Sequence, residues 1–305
     1  MHSNRKDLLG IRELEVSEIE YILELSRSFK EINERAIKKV PTLRGKTIVH
    51  LFYEPSTRTR TSFDVAAKRL SADTYSITAS TSSIVKGETT LDTLKNLEAM
   101  KPDVFVIRHS VSGVPWMLAG RTNASVVNAG DGMHEHPSQA LLDMLTILDN
   151  KKSLSGLNVL IVGDIFHSRV ARSNIWGLTK MGASVTVCGP ATLIPPEIDA
   201  MGARVSHHLD QCIPQADVIM VLRLQKERQQ QMLLPSLREY STCYGISAER
   251  LERAKEDVLI MHPGPINRGV EISPEVADGP RSVILDQVTN GVAVRMAILY
   301  MLGQR

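Results

Sequence analysis

Short hydrophobic runs of this chain alternate with amphipathic segments of helical length. The runs are rich in β-branched residues, which favour strands, and most of the runs are flanked by polar residues. They predict eight strands, at 47–52, 74–77, 104–107, 125–127, 158–162, 184–188, 218–222 and 258–261. Parallel strands need long crossover connections, which helices commonly supply. The alternation therefore predicts an α/β fold of doubly wound parallel sheets, each flanked by helices.

Two domains are expected, because the chain has 305 residues and a domain commonly contains about 150. A helix starting near Pro137 reaches the polar stretch Asn150-Lys151-Lys152-Ser153, which suggests a boundary. Residues 1–150 then form the first domain and residues 151–288 the second. The last helix, within 289–305, is expected to pack back on the first domain. A capping box at Ser17-Glu18-Ile19-Glu20 predicts an N-terminal helix through about Lys39.

Composition and charge exclude several functions. The chain is 43% hydrophobic and 23% charged, as in ordinary globular proteins. Its net charge of +2 argues against a general nucleic-acid or acidic membrane surface. The longest apolar run, seven residues at 296–302, is too short for a membrane span, and the N-terminus lacks a secretory signal. Cys188, Cys212 and Cys243 have no zinc-ligand spacing and indicate a reducing cytoplasm, with neither a disulfide framework nor a structural zinc site. No metal or other cofactor is expected.

Chemically capable side chains follow the ends of the predicted strands. They are Ser56 and Arg58, Arg108, His136, Arg169, Arg223 and Gln225, and the run His262-Pro263-Gly264-Pro265. Open parallel sheets bind ligands beyond the carboxyl ends of their strands. Because these ends belong to two predicted domains, we expect them to converge on an active site in an interdomain cleft.

The segment Glu54-Pro55-Ser56-Thr57-Arg58-Thr59-Arg60-Thr61 is the densest group of donors in the chain. If it opens a helix, its unpaired N–H groups and the positive end of the helix dipole favour an anion. Four side chains could then reach the same anion: Ser56, Thr57, Arg58 and Thr59. An ordinary Ser/Thr cap followed by surface arginines is the alternative, but caps seldom gather so many donors. The segment therefore predicts a phosphate site.

His136 and Gln139 flank the first turn of a predicted helix that Pro137 begins. A lone histidine is more often structural, but this one follows a strand end and the stretch Gly130-Asp131-Gly132, which we expect to be flexible. A binding role is therefore favoured for His136. His134 is a competing choice on the residues alone.

Three other segments are compatible with either an anion-binding or a structural role. Arg169 and Arg172 at a helix start suit a carboxylate, or are a solvated helix end. Arg223 and Gln225 share one face in extended chain, and a charged strand exit is the structural alternative. Lys86, in a hydroxyl-rich loop beside a glycine, could close over an anionic substrate. A Ser/His/Asp triad and a catalytic carboxylate pair do not emerge, which favours anion binding and carbonyl polarisation.

The motifs together resemble those of the carbamoyltransferase family, and in particular of its aspartate-specific branch. The matching segments are residues 56–61, Ser82 with Lys86-Gly87-Glu88, Arg108-His109-Ser110, His136-Pro137-Ser138-Gln139, His167-Ser168-Arg169, Arg223-Leu224-Gln225 and His262-Pro263-Gly264-Pro265. They span nearly the whole chain in the expected order. The resemblance implies transfer of the carbamoyl group of carbamoyl phosphate to the amino group of L-aspartate, the committed step of de novo pyrimidine biosynthesis.

The resemblance also implies a role for each matching residue. The phosphate would be bound by Ser56, Thr57, Arg58 and Thr59. The carbonyl oxygen would be bound by Arg108, His136 and Thr59, and the carbamoyl amide by Gln139 and the backbone around Pro263, Gly264 and Pro265. The carboxylates of L-aspartate would be bound by Arg169, Arg223 and Gln225. Ser82 and Lys86 would reach a neighbouring subunit's site, which implies a homotrimer, and Glu54 would orient Arg108.

Three rival functions would require other residues. An ornithine-specific carbamoyltransferase would need an acidic or thiol group for the substrate's cation, whereas Arg223 and Arg169 would repel it. A non-catalytic scaffold subunit would be expected to lack phosphate or carbonyl ligands, and these are present. A dehydrogenase is disfavoured because the segment after the strand 158–162 lacks two glycines of the dinucleotide fingerprint. Regulatory chains and dihydroorotase are possible partners that the sequence leaves open.

Overall fold

The computed structural model describes residues 5–78, 88–225 and 233–304. The chain divides into two compact units: the first comprises Met1–Leu142 and Thr289–Arg305, and the second comprises Asp143–Val288. The elements in chain order are α1 (Val16–Glu34), β1 (Thr47–Phe52), α2 (Thr57–Arg69), β2 (Asp73–Thr78), α3 (Thr90–Glu98), β3 (Val104–His109), α4 (Val114–Ala119), β4 (Ser125–Asp131), α5 (Pro137–Lys151), β5 (Asn158–Val162), α6 (Arg169–Lys180), β6 (Ser184–Cys188), β7 (Arg204–Ser206), α7 (Leu209–Cys212), β8 (Val218–Val221), α8 (Leu237–Tyr244), α9 (Ala248–Leu251), β9 (Leu259–Met261), α10 (Pro274–Ala277) and α11 (Ile284–Gly303).

The first unit contains a parallel sheet with the strand order β2-β1-β3-β4. Phe52, the last residue of β1, pairs in register with Arg108 of β3. The strands carry buried aliphatic and aromatic residues such as Leu51, Phe105 and Val126. Because the strands are parallel, the residues that follow β1, β3 and β4 emerge together at the carboxyl ends of the strands, which form one edge of this sheet.

The second unit contains a parallel sheet with the strand order β7-β6-β5-β8-β9. Its strands β5, β8 and β9 consist almost entirely of buried residues, as expected for a sheet covered by helices on both faces. The segments that follow β5, β8 and β9 therefore lie at one edge of this second sheet. The predicted fold class, two helix-flanked parallel sheets, is confirmed.

All eight predicted strands are present, with ends that differ by a few residues. The strand β7, which pairs with β6 through Arg204 and Ser206, was not predicted. It has three residues, none of them buried, and therefore lacks the hydrophobic run that marks the other strands.

The first and last helices differ from their predicted bounds. Helix α1 begins one residue before Ser17, because Glu15 and Glu18 form the capping box through reciprocal side-chain and backbone contacts. It ends at Glu34 and not near Lys39, because the buried face stops at Ile32 and residues 34–39 are exposed. Helix α11 begins at Ile284, earlier than predicted, and its residues from Thr289 onward belong to the first unit. The division of the chain falls between Leu142 and Asp143, inside α5.

Within residues 5–78, 88–225 and 233–304, every helix is too short or too polar to cross a membrane. The same residues contain no group of three or more His, Cys, Asp or Glu side chains arranged to hold a metal ion.

Candidate active site

The donor-rich segment forms the start of helix α2, directly beyond the end of β1. Ser56 is the N-cap residue, and within the described residues its side chain makes no capping hydrogen bond to the helix. Thr57 and Arg58 are exposed, whereas Thr59 is buried. The first turn carries no acidic residue. The positive end of the helix, the hydroxyl groups and the Arg58 guanidinium therefore form a region that favours an anion.

Arg108 is held by groups from the strands on both sides of it. Its Nε lies 3.3 Å from Glu54 Oε2, and its Nη1 donates a hydrogen bond of 3.2 Å to the carbonyl oxygen of Ala129 in β4. The Arg108 carbonyl oxygen accepts a 2.8 Å hydrogen bond from the N–H of Tyr53. These contacts tie Arg108 to the segment that leads into α2, so the two predicted sets of donors lie on one sheet edge.

His136 and Gln139 lie at the beginning of α5, and both are buried. The Gln139 N–H donates a 3.0 Å hydrogen bond to the His136 carbonyl oxygen, which forms the first turn around Pro137. A neutral imidazole, a guanidinium and a carboxamide are groups that can donate hydrogen bonds to a carbonyl oxygen. The edge of the first sheet can therefore bind a phosphate and polarise a carbonyl group.

The expected flexibility of the stretch 130–132 is wrong. Gly130 and Asp131 form the buried end of β4, and the Asp131 carboxylate accepts hydrogen bonds from the N–H of Gly113 at 2.7 Å and of Glu135 at 3.1 Å. His134 contacts the same carboxylate, with Nδ1 3.1 Å from Oδ2. These contacts, and not a mobile loop, set the start of α5.

His134 and Asp131 form a hydrogen-bonded pair. The hydrogen bond to Asp131 raises the pKa of His134 even though burial opposes it. Burial favours the neutral acid of Asp131, but hydrogen bonds from His134, Gly113 and Asn128 outweigh burial and keep the pKa of this carboxyl below its usual value. His134 is therefore engaged in the structure of the segment, which favours His136 as the binding histidine.

In the second unit, Arg169 is the first residue of α6 and is buried. The hydroxyl of Ser168 caps the helix by accepting a 3.1 Å hydrogen bond from the N–H of Ala171. The Arg172 guanidinium donates to the carbonyl oxygen of Phe166, and burial lowers its pKa. Arg172 therefore shapes the turn before α6, and Arg169 is the better candidate to bind a carboxylate.

Asp164 connects two strand ends of the second sheet. Its carboxylate lies 2.8 Å from His167 Nδ1 in the turn after β5. The same carboxylate accepts a 3.3 Å hydrogen bond from the N–H of Gln225, in the segment after β8. Arg223 lies two residues earlier in that segment and is partly buried. Asp164 thus links the turn that leads to Arg169 with the segment that carries Arg223 and Gln225.

The loop 263–265 after β9 is shaped by His262. The Nδ1 atom of this buried residue accepts a 2.8 Å hydrogen bond from the N–H of Gly264, so Nε2 carries the proton and donates to Glu271 Oε1 at 3.2 Å. Glu271 Oε1 also accepts from the N–H of Asn267 at 2.6 Å. Gly264 has a φ of +64°, a backbone conformation that favours glycine, and the Gly264–Pro265 peptide bond is cis.

The candidate residues fall into two sets. The first unit holds Ser56, Thr57, Arg58, Thr59, Arg108, His136 and Gln139, and the second holds Arg169, Arg223, Gln225, Pro263, Gly264 and Pro265. Ser82 and Lys86 lie outside the described residues. The sequence reading did not single out Asp131, Asp164 or Glu271, which hold the strand-end segments. For Asp131 and Asp164, the sequence offers only a weak signal of this role, namely an acidic residue within a few positions of a strand end.

Two family models match the chain in succession. The carbamoyl-P binding domain of aspartate/ornithine carbamoyltransferase matches residues 6–149. The Asp/Orn binding domain of the same family matches residues 155–302. Each match covers one of the two parallel sheets.

Whole-length relatives share much of the sequence. The chain is 76% identical over 305 residues to the aspartate carbamoyltransferase catalytic subunit of Syntrophobacter fumaroxidans, with 100% of both chains covered. It is 66% identical over 302 residues to the protein of the same name from Syntrophus aciditrophicus, with 99% of this chain and 98% of the relative covered.

Solved structures share the fold. Aspartate transcarbamoylase from Trypanosoma cruzi, in complex with N-(phosphonacetyl)-L-aspartic acid, has a TM-score of 0.89 at 31% identity, over 99% of this chain and 97% of that chain. Ornithine carbamoyltransferase from Pyrococcus furiosus has a TM-score of 0.86 at 30% identity, over 98% and 97%. Because the fold is shared by both activities, the fold alone does not separate their substrates.

Proposed function

The chain belongs to the aspartate/ornithine carbamoyltransferase family, and on that premise we propose that it transfers the carbamoyl group of carbamoyl phosphate to the amino group of L-aspartate. The products are N-carbamoyl-L-aspartate and phosphate. The observation that carries the proposal is the edge of the first sheet, where the Arg58-bearing start of α2 follows β1 and the paired Arg108 lies on the neighbouring strand. This edge suits an acyl phosphate, which presents both a phosphate and a carbonyl group.

The first unit's residues bind carbamoyl phosphate in this proposal. The start of α2 binds the phosphate through Ser56, Thr57, Arg58 and Thr59. Arg108, His136 and Thr59 donate to the carbonyl oxygen, and Gln139 accepts from the carbamoyl amide together with the backbone at Pro263, Gly264 and Pro265. Glu54 supports these roles because it lies against Arg108 Nε and restricts its orientation. Arg58, Thr59, Lys86, Arg108 and His136 are the proposed catalytic residues.

The neutral amine of L-aspartate attacks the carbonyl carbon, and the C=O electron pair moves onto the oxygen. Donors aimed at that oxygen stabilise the growing charge, and a single well-aligned donor contributes on the order of 10²–10³ in rate. The electron pair then returns, the bond from carbon to the phosphate oxygen breaks, and phosphate departs. Arg58 matches the charge of the departing phosphate, which can take the proton that the amine loses. Holding the two substrates together supplies a further share of the rate.

L-Aspartate is bound in this proposal by Arg169, Arg223 and Gln225 of the second unit. Two guanidinium groups suit two carboxylates, and they would repel the ammonium group of ornithine. The contacts of Asp164 with the turn before Arg169 and with Gln225 support a single binding region at this sheet edge. The whole-length relatives with 76% and 66% identity are named for the aspartate activity, which supports the same substrate.

We propose that the enzyme acts in the cytoplasm as a homotrimer that supplies de novo pyrimidine biosynthesis. In this arrangement Ser82 and Lys86, which lie outside the described residues, enter a neighbouring chain's site. Regulatory chains or dihydroorotase are possible further partners. The name of the relatives, a catalytic subunit, is compatible with such an assembly.

The test is formation of the ureido product from carbamoyl phosphate, with L-aspartate and L-ornithine supplied side by side. We expect turnover with L-aspartate and less than about one hundredth of that rate with L-ornithine, which corresponds to about 2.7 kcal/mol of discrimination. Turnover with ornithine alone would replace the aspartate proposal with the ornithine one. No turnover with either, in a folded sample, would support the scaffold function.

A further inference from the structure

The Asp131 carboxylate joins two loops at the edge of the first sheet. Its side chain is fully buried at the end of β4. One oxygen, Oδ2, accepts the N–H of Gly113 at 2.7 Å, in the loop after β3. The other, Oδ1, accepts the N–H of Glu135 at 3.1 Å and Asn128 Nδ2 at 2.8 Å. A single carboxylate therefore holds the backbone of both loops.

The two loops adjoin the proposed donors to the carbonyl oxygen, since Arg108 lies near the end of β3. Gly113 lies five residues after Arg108, and Glu135 directly precedes His136. The carboxylate thus lies between the backbone that follows Arg108 and the backbone that leads into His136. Displacement of either loop would change the spacing of the two donors.

The loops also approach each other closely. The N–H of Gly132 donates to the carbonyl oxygen of His109 at 2.9 Å. A Cβ atom on Gly132, which has a φ of +47°, would lie 2.8 Å from the backbone nitrogen of Ser112. The N–H of Asp131 donates to the Glu135 carbonyl oxygen at 3.1 Å and closes the second loop. The Asp131 carboxylate therefore acts at a tightly packed junction, where a small change in its hydrogen bonds moves backbone.

The far side of the second loop is anchored as well. The buried Glu135 carboxylate accepts the N–H of Ile11 at 2.7 Å and of Arg12 at 3.3 Å. Glu135 is thus tied to the N-terminal segment, and the Asp131 contact with Gly113 links this loop to the loop after β3, in addition to the hydrogen bond from Gly132 to His109.

We propose that Asp131 is a positioning residue that sets the spacing between Arg108 and His136. The inference rests on the proposed function, since it concerns how those two donors share one carbonyl oxygen. A misplacement of about 1 Å in a catalytic group can cost on the order of 10² in rate. Asp131 itself touches neither substrate in this proposal and acts through the two backbone segments.

The test replaces Asp131 with asparagine, which keeps the shape but turns one acceptor into an amino group facing an N–H donor. We expect kcat to fall about ten- to hundredfold, because the two donors lose their mutual alignment. The KM for L-aspartate should change by less than about twofold, since its proposed ligands belong to the second unit. An unchanged kcat would overturn the inference.

Asp103 provides a matched control at the opposite end of β3. Its Oδ2 accepts the N–H of Thr47 at 2.8 Å, and its Oδ1 contacts Lys46 Nζ at 2.9 Å. The Asp103→Asn variant removes a similar backbone-binding carboxylate from the same sheet, and we expect its kcat to stay within about twofold of the wild type. An equal loss of kcat in both variants would show that Asp131→Asn acts through the general stability of the fold, and it would overturn the inference.

If Asp131→Asn does not fold, Asp131→Glu decides the question. Glutamate keeps the charge and both acceptors but adds a methylene group, so we expect a folded chain with kcat lowered by about tenfold or more. Wild-type kcat in this variant would contradict the positioning role. These outcomes are separate from failure of the proposed function, which would appear as a wild-type enzyme that forms no carbamoyl-aspartate.

Discussion

The Glu54 carboxylate lies 3.3 Å from Arg108 Nε across the ends of two neighbouring strands, and both side chains are largely buried, with 17% and 14% exposed. Arg108 also donates to the Ala129 carbonyl oxygen on its other side. The guanidinium is thus restricted by two groups and does not depend on a substrate for its orientation. Such preorganisation lowers the cost of reaching the reactive arrangement.

Replacing Glu54 with glutamine should lower kcat about tenfold, because the neutral amide restrains Arg108 less strongly than the carboxylate does. The KM for L-aspartate should change little. The measurement is steady-state kinetics of carbamoyl-aspartate formation. Glu24→Gln is the control, since Glu24 forms an exposed ion pair with Arg27 at 3.7 Å and should leave kcat unaffected. Equal rates in Glu54→Gln and the wild type would argue against a role for the pair.

Replacing Arg58 with alanine should abolish turnover, because the phosphate loses its forked guanidinium. The fold should be retained, since Arg58 is exposed in the first turn of α2. Circular dichroism and the thermal midpoint check the fold, and product formation checks the activity. Lys68→Ala, on the same helix and paired with Asp64 at the surface, is the matched control. Near-normal activity of Arg58→Ala would show that the phosphate assignment is wrong.

Mixed trimers test the proposal that sites are shared between chains. Arg58→Ala and Lys86→Ala chains, each inactive alone, should regain part of the wild-type rate when they are unfolded and reassembled together. Recovery is expected because some sites then combine an intact Arg58 with an intact Lys86 from a neighbouring chain. Native mass spectrometry of differently tagged chains establishes that mixed trimers have formed. Verified mixed trimers without activity would exclude shared sites.

Replacing Glu271 with leucine should lower the free energy of unfolding by about 2–4 kcal/mol, because His262 Nε2 and the N–H of Asn267 lose their buried acceptor. Glu271→Gln should cost only about 1 kcal/mol, since an amide oxygen can still accept one of these hydrogen bonds. Urea unfolding of both variants gives the comparison. Similar losses in the two variants would mean that the hydrogen bonds at Oε1 do not hold the loop after β9.

Acid should weaken the fold through His50, which is fully buried in β1. Burial lowers the pKa of His50 to about 4, and the Asp64 carboxylate counters this only in part. The unfolded chain therefore binds more protons than the folded chain between pH 6.5 and 4. The stability that the neutral His50 contributes to the fold is complete above pH 6.5 and is lost as pH falls toward 4.

The corresponding measurement compares the wild type with His50→Gln, in which this position does not titrate. Between pH 7 and pH 5 the wild type should lose about 2 kcal/mol more of its unfolding free energy than the variant. Urea unfolding at the two pH values provides both numbers. A wild type and variant with the same pH dependence would mean that His50 is protonated without penalty in the fold.

Most of the fold could be predicted because its signals are local. The strands with continuous buried runs, such as Asn158–Val162, are visible as hydrophobic segments of the sequence. The missed strand, Arg204–Ser206, carries no such run and exists because its backbone pairs with β6. Helix α1 ended earlier than predicted because the partners that bury its apolar face stop at Ile32, which the sequence does not reveal.

The candidate site was predicted less evenly. Arg58 and Arg108 follow a simple rule, since polar residues at or just beyond the carboxyl ends of parallel strands face a ligand-binding edge. His136 could not be separated from His134 until the contact between His134 and Asp131 was seen. The expected flexibility before His136 was wrong because glycines suggested mobility, while the buried Asp131 accepts hydrogen bonds from nearby Glu135 and from Gly113 in the loop after β3.

The sequence by itself determined eight of the strands, the order of the motifs and the residue types that suit a phosphate, a carbonyl group and two carboxylates. It does so because periodicity, capping and functional-group chemistry act over a few neighbouring residues. The tertiary structure alone decided which groups hold these residues in place. The contacts of Asp131 with Gly113 and of Asp164 with Gln225 join segments that meet only when the strands have paired. Their physical basis is the burial of charged groups among backbone donors from separate loops, which no local pattern encodes.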